Sequence, residues 1–454
     1  MAKSRAERGE VAGGARASCI VREAARQRLA PAQASRFRQN TLGTAAASDG
    51  KLSAAGTPNL TFRQSPSEPR EGLPKPKFGR MIRSVLIICD KSPCTSFGRL
   101  SLDMRESLER GGFKAEIVWL VTPRYFPAGA PAGSVSVAAR SMLFGLLQFA
   151  PQLSKVFRRL GPELVLFIRP ELGFLVPLAR KVLPGAKAVV MIHDTFAETL
   201  YPKSRKFKLI NRFFIRETRT ADSFIYNSEY TRSVSNSFFG FPKIPGAVVG
   251  CAINTAIFHP GEASKGLEER QKFWATQGIK GFKGVCMNVS LDEPRKNLGT
   301  FFKVAAMRPE VAFVRIGRLR KGTAEALKKS RLPNLFHFQN LPVELLANFY
   351  RHSDLFMYPS FLEGFGMPPL EAIACGTPVA AADTSGVAEN LKGVAPLVNP
   401  PDDAGAYAKI LDQALAGRNL VNAAQAKALL QKASLEAFSE RICSYVRTLP
   451  SKAL

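Results

Sequence analysis

From Arg83 onward, short apolar runs alternate with amphipathic stretches. Val85 to Cys89 is a continuous apolar run of buried-strand length. Ser96 to Arg99 reads as a turn, and Leu100 to Arg110 places apolar residues at helical spacing. Gly111-Gly112 ends that stretch before a second run, Ala115 to Val121. Strand, helix, strand in this order predicts βαβ units, hence a parallel sheet with helices on both faces. Leu164 to Leu183 is the most apolar region, but Arg169, Glu171 and Arg180 break it into strand, loop and helix. Ala188 to Ile192 is a further strand. Ala221 to Asn227 is another, followed by a helix that Ser228 can cap. Gly261 to Gly281 is polar, rich in Lys and Glu, and reads as a linker. The alternation then resumes, with strands at Val285–Val289, Val311–Ile316, Leu335–Phe338, Leu355–Tyr358 and Val379–Ala382. Helical stretches run from Pro294 toward Met307, then over Glu344–Tyr350, Leu370–Cys375, Ala404–Leu415 and Ser434–Val446. The pattern describes two similar lobes and no further repeat.

Residues 1 to 80 break this pattern. They are rich in Ala, Arg, Ser, Gln, Gly and Pro, with only a short helical stretch near Val21 to Leu29. The composition is that of a disordered tail. Two other readings stand beside it: an extension upstream of a start at Met81, and an organelle transit peptide, which the scattered acidic residues oppose.

Charge changes the picture of partners. Lys+Arg 64 against Asp+Glu 36 leaves +28 in 454 residues. Such a field draws nucleic acid, anionic membrane surface or anionic small ligands. No zinc-finger spacing or aromatic RNA-binding pattern accompanies it, so nucleic acid is not an expected partner. Phe207, Ile210 and Phe214 interleave with Arg and Lys between Lys203 and Arg219, as in a helix packed on a core with a solvated basic face, or one lying on an anionic membrane. No apolar run is long enough to span one. Seven cysteines without a C-x-x-C pair, odd in number, suit reduced thiols in the cytoplasm. The four histidines form no cluster suggesting a structural metal.

Candidate chemistry gathers between Tyr358 and Pro378. An apolar strand stops at Pro359, and Glu363 stands beside a loop, Gly364-Phe365-Gly366, where glycines let the backbone approach a ligand. Met367 and two prolines open a helix that Gly376 and Pro378 end. Free N–H groups at such a helix start favour an anion, typically a phosphate. Glu363, and Glu371 on the first helical turn, would accept hydrogen bonds from sugar hydroxyls. Arg295 and Lys296, adjacent cations at another helix entry, suit a diphosphate. His193-Asp194 follows a predicted strand at its carboxyl end, where such sheets face ligand.

The stretch Y-P-S-F-L-E-G-F-G-M-P-P-L-E-A-I-A-C-G-T-P resembles the E-x7-E region of the retaining family-4 glycosyltransferases of GT-B fold. Glu363 and Glu371 are its two glutamates. The resemblance extends from about residue 81 to 446, densest in the C-terminal half. It implies an α/β protein with two Rossmann-like parallel-sheet domains facing a central cleft. An acceptor domain would span 81–262, a nucleotide-sugar domain 263–435, and 436–454 would cross back. It also implies transfer of a hexose, mannose-type favoured, from a nucleotide diphosphate sugar to a glycan or lipid-linked acceptor with retention. Glu363, His193 and Lys296 would be catalytic. Arg295, Gly364, Phe365, Gly366, Met367, Glu371 and Gly98 would bind substrate. No metal or other cofactor is expected, and the place of action would be the cytoplasm, peripheral at the inner membrane face. Two departures stand out. The glycine-rich first loop is reduced to Gly98, and the glycine and arginine that precede the family's lysine are Val289 and Ser290. A non-catalytic GT-B-shaped binding protein and a sugar-nucleotide epimerase are the alternatives.

Overall fold

The computed structural model describes residues 81–449, apart from 94, 124–125, 127–128, 141–144, 195–215, 240–243, 262–265 and 330–331. The helix expected near Val21 to Leu29, and most of the basic stretch from Lys203 to Arg219, lie outside the described residues.

The first lobe is built on β1 (Ser84–Cys89), β2 (Lys114–Val121), β3 (Val135–Ala138), β4 (Leu164–Phe167), β5 (Lys187–Ile192), β6 (Ser223–Tyr226) and β7 (Gly246–Val248). Its helices are α1 (Ser96–Arg110), α2 (Gly145–Leu160), α3 (Val176–Val182) and α4 (Glu229–Phe239). The second lobe carries β8 (Val285–Val289), β9 (Ala312–Ile316), β10 (Leu335–Phe338), β11 (Leu355–Tyr358), β12 (Val379–Ala382) and β13 (Leu397–Val398). With it go α5 (Leu267–Thr276), α6 (Leu298–Met307), α7 (Lys321–Lys329), α8 (Val343–His352), α9 (Met367–Ala374), α10 (Ser385–Leu391), α11 (Ala404–Leu415) and α12 (Ala423–Lys432). A last helix, α13 (Leu435–Thr448), returns to the first lobe.

Both sheets are parallel throughout, in the orders β3-β2-β1-β4-β5-β6-β7 and β10-β9-β8-β11-β12-β13. Strand order therefore reverses beside β1 and beside β8. In doubly wound sheets ligands bind outside the carboxyl ends of strands at such a reversal. Asp90, Arg169 and His193 lie there in the first lobe, and Ser290 and the Pro359–Glu363 segment in the second.

Period-two alternation divides the second sheet into two cores. Cys286, Phe313, Leu355 and Met357 pack on one face, and Met287, Val314, Phe356 and Tyr358 on the other. In the first lobe, α1 buries Leu100, Met104 and Leu108 at i, i+4 spacing. Its first turn is the stretch that reads as a turn in sequence. The Thr95 side chain accepts from the Gly98 N–H at 3.1 Å and so starts the helix early.

Two further differences have clear causes. The expected linker contains α5, which docks on the second lobe: Trp274 is buried and donates to the His352 carbonyl at 2.7 Å, and Arg270 pairs with Asp354 at 2.7 Å. α2 buries Phe149, Leu153 and Phe157 at i, i+4 spacing, although Pro151 within it argues against a helix in sequence. α13 reaches the first lobe. Its Ser439 donates to the Ser107 carbonyl, Arg441 to the Val249 carbonyl, and Phe438, Ile442 and Val446 complete the first lobe's core.

Candidate active site

Glu363 stands where the chain leaves β11 for α9, and it is only 6% exposed. Its Oε1 accepts from Lys296 Nζ at 2.5 Å and its Oε2 from Arg295 Nη1 at 2.9 Å. Lys296 also donates to the Tyr358 hydroxyl at 2.9 Å. Arg295 donates through Nε to Glu293 at 2.7 Å and through Nη1 to the Leu362 carbonyl at 3.2 Å. The Glu363 N–H donates to Ser385 Oγ at 2.9 Å, which fixes the backbone as well.

The cations arrive by an unusual route. Pro294–Lys296 is a 3-10 turn, and Asn297 follows in the left-handed region at φ 51. Its side-chain amide donates to the Pro359 carbonyl at 3.0 Å and to the Pro401 carbonyl at 2.9 Å. Arg295 and Lys296 thus precede α6 rather than stand on its first turn, which corrects the sequence expectation. The kink at Asn297 turns both toward β11.

Burial alone would raise the Glu363 carboxyl. The charges of Lys296 and Arg295 outweigh it and hold the group below the usual carboxylate range. Lys296 is pushed down by burial, with Glu363 opposing. Tyr358 is driven well above its ordinary value, first by burial and then by Glu363, so it stays neutral. This is a buried ion cluster with the acid ionised.

α9 offers fewer donors than its position suggests. An α-helix leaves its first four N–H groups unpaired, but Pro368 and Pro369 have none to give. Gly366 precedes it at φ +89, a conformation glycine adopts freely. The Phe365 carbonyl is held by Asn390 Nδ2 at 2.7 Å. Gly364 is required for another reason: a Cβ there would collide with the His193 carbonyl of the other lobe. The Gly364 carbonyl accepts from Ser228 Oγ at 2.6 Å, and the His193 carbonyl from Asn227 Nδ2 at 3.0 Å. The two lobes therefore meet backbone to backbone beside Glu363.

His193 is buried. Its Nε2 lies 2.8 Å from the Ile168 carbonyl, so that nitrogen carries the proton and Nδ1 is left as an acceptor. Burial, with the nearby Arg169 charge assisting, lowers its pKa to about 4, so the ring is neutral at physiological pH. Phe97 packs edge-on against it at 4.8 Å. Glu371 is the fifth residue of α9 rather than part of its first turn, and it is 3% exposed. It accepts from Tyr350 Oη at 3.0 Å and faces Arg99 Nη2, from α1, at 3.5 Å. Burial raises its carboxyl against these two partners. Gly98 is packed on the Ser92 backbone, and its N–H serves the helix cap. Among the described residues, no group of three or more His, Cys, Asp or Glu could hold a metal ion.

The structure thus gathers Glu363, Lys296 and Arg295 into direct contact and brings His193 and Gly364 together across the lobes. It also adds residues to which the sequence gives no role: Tyr350, Tyr358, Ser385, Arg99 and Glu389. The Glu389 carboxylate accepts from the N–H groups of Glu229 and Tyr230 at 3.0 and 2.7 Å, capping α4 from the opposite lobe. Tyr350 and Tyr358 read in sequence as ordinary core aromatics.

Two family models match, one per lobe: Glycosyltransferase Family 4 over residues 98–257 and Glycosyl transferases group 1 over 270–431. The chain belongs to the group 1 glycosyltransferases. This glycosyltransferase is 24% identical over 361 residues to O-antigen chain mannosyltransferase B of Escherichia coli, covering 75% of this chain and 92% of that protein. Two solved structures share its GT-B fold. Sucrose-phosphate synthase from Thermosynechococcus elongatus superposes with TM-score 0.65 at 16% identity, covering 80% of this chain and 98% of the other. Anabaena HepE, solved with UDP-glucose, superposes with TM-score 0.64 at 16% identity, covering 80% and 100%. The glycosyltransferase has hexosyltransferase character by this kinship.

Proposed function

We propose that the chain moves a mannose-type hexose from a nucleotide diphosphate sugar to a glycan or lipid-linked acceptor, retaining the anomeric configuration. The observation that carries this reading is the buried Glu363–Lys296–Arg295 cluster at the meeting of the lobes. The E. coli mannosyltransferase supports the choice of sugar, and the UDP-glucose held by HepE supports an activated donor.

As the glycosidic bond breaks, negative charge gathers on the leaving diphosphate. Lys296 and Arg295, both buried, would stabilise it where fixed charges act most strongly. Glu363 holds both cations in place and offers its oxygens to hexose hydroxyls. Neutral His193, its Nε2 held by the Ile168 carbonyl, would offer Nδ1 as an acceptor to the donor sugar or the acceptor. Glu371 would accept the ribose hydroxyls. Attack would come on the face the leaving group occupies, with the departing phosphate taking the acceptor's proton. Protein cations would carry the leaving-group charge without a metal. The place of action would be cytoplasmic, against the inner membrane face, to which a net charge of +28 would draw it.

The test is a panel of GDP- and UDP-sugars incubated with the full chain, watched by NMR for slow donor hydrolysis and for the configuration of the released sugar. GDP-mannose is expected to be consumed fastest, with its α configuration retained in the first product. Hydrolysis of no donor, or inversion, would reject the reading.

A further inference from the structure

We propose that Arg99, on the first lobe's α1, is the cation which that lobe supplies to the donor's diphosphate. The inference rests on the donor reading above and deepens it.

Charge accounting leads to it. Lys296 and Arg295 face Glu363 through one oxygen each, and Arg295 also faces Glu293. The charge of Asp194 acts on Arg295 as well, so the carboxylates outweigh the two cations, whereas a nucleoside diphosphate brings several negative charges of its own. The helix start that should help lacks two N–H donors, because Pro368 and Pro369 stand there. A further positive group has to come from elsewhere.

Arg99 has the placement. Phe97, two residues earlier, packs on the His193 ring, and the His193 carbonyl touches Gly364. The first turn of α1 therefore lines the cleft that holds Glu363. Arg99 crosses that cleft to Glu371 at 3.5 Å, a long contact for an ion pair. Its side chain is 35% exposed, against 10% and 8% for Arg295 and Lys296. A long, exposed guanidinium over a buried carboxylate is an exchangeable partner. When ribose hydroxyls take Glu371, the guanidinium is released beside the phosphates, and its fork of N–H donors matches their oxygens. Arg99 would thus guard Glu371 in the empty cleft and grip the diphosphate in the filled one.

The experiment is calorimetry of the full chain with GDP, UDP, guanosine and uridine, on wild type, Arg99→Met and Arg99→Lys, with melting curves as a check on folding. For whichever base the wild type binds, Arg99→Met is expected to weaken the diphosphate about tenfold to a hundredfold, the loss of one charged hydrogen-bond set. The matching nucleoside should bind unchanged or more tightly, since Glu371 is freed. Arg99→Lys, which keeps the charge, should fall between, and it carries the test if the methionine variant misfolds. A tie between lobes alone would weaken nucleoside and diphosphate alike, and that result overturns the proposal, as would unchanged diphosphate affinity. If the wild type binds neither diphosphate, the donor reading fails first and takes this one with it.

Discussion

Lys296 shows how much one side chain can hold. Its ammonium is buried between the Glu363 carboxylate and the Tyr358 hydroxyl. Removing one partner of a buried ion pair leaves the other uncompensated, at about 3–5 kcal/mol. Lys296→Ala is therefore expected to lower the melting temperature as well as transfer, whereas a purely catalytic lysine would affect transfer alone. Thermal denaturation beside turnover separates the two. Asp103 and His193 shape the response to acid in opposite directions. Burial raises Asp103 from 3.8 to about 6, against the nearby Arg99, and lowers His193 from 6.5 to about 4. Between pH 6.5 and 4 the unfolded chain takes up the His193 proton while the folded chain does not, so acidification destabilises. Between pH 6 and 4 the folded chain takes up the Asp103 proton first, so acidification stabilises. Each effect is at most about 3 kcal/mol. Asp103→Asn should leave His193 unopposed and steepen the loss of stability below pH 6.5, as urea melts across that range would reveal. A slope equal to that of the wild type would contradict the assignment.

Among the elements, the loop from Glu363 to Gly366 bears the most constraint. Gly364 fits under the His193 carbonyl, and Gly386 of α10 in turn fits against the Gly364 carbonyl. Gly364→Ala would push the lobes apart, with an overpacking penalty of about 1–3 kcal/mol. Transfer should fall steeply while each lobe keeps its own fold, measurable as turnover beside small-angle scattering and circular dichroism. An active alanine variant would mean that the lobes need not touch there. This loop was readable in advance, because strand, glycines, prolines and glutamates are local features. The parallel strands were readable for the same reason: buried strands are continuous apolar runs. What escaped depends on contacts distant in sequence. Asn tolerates the left-handed region better than most residues, but only the carbonyls of Pro359 and Pro401 fix Asn297 at φ 51. Likewise α5 looked like linker because its stretch is polar, and Trp274 anchors it only where His352 arrives. Arg99 looked like one more cation in a basic chain until the opposite lobe supplied Glu371.

At the scale of the molecule, the fastenings between the lobes among the described residues are small and polar rather than a shared apolar core. Ser228 reaches the Gly364 carbonyl, Glu389 caps α4, and Arg99 faces Glu371. Interfaces of this kind suit lobes that open and close around a substrate. The exception is α13, whose Phe438, Ile442, Cys443 and Val446 belong to the hydrophobic interior of the first lobe. The first lobe thus emerges from the ribosome with one wall of its interior missing, and receives it only when α13 has been made. Until then, the face of α1 beside Ser107 and Gly111 stays bare and open to chaperones. A stop codon at Ser434 should accordingly injure the half of the protein it does not touch: limited proteolysis is expected to digest the first lobe while sparing the second.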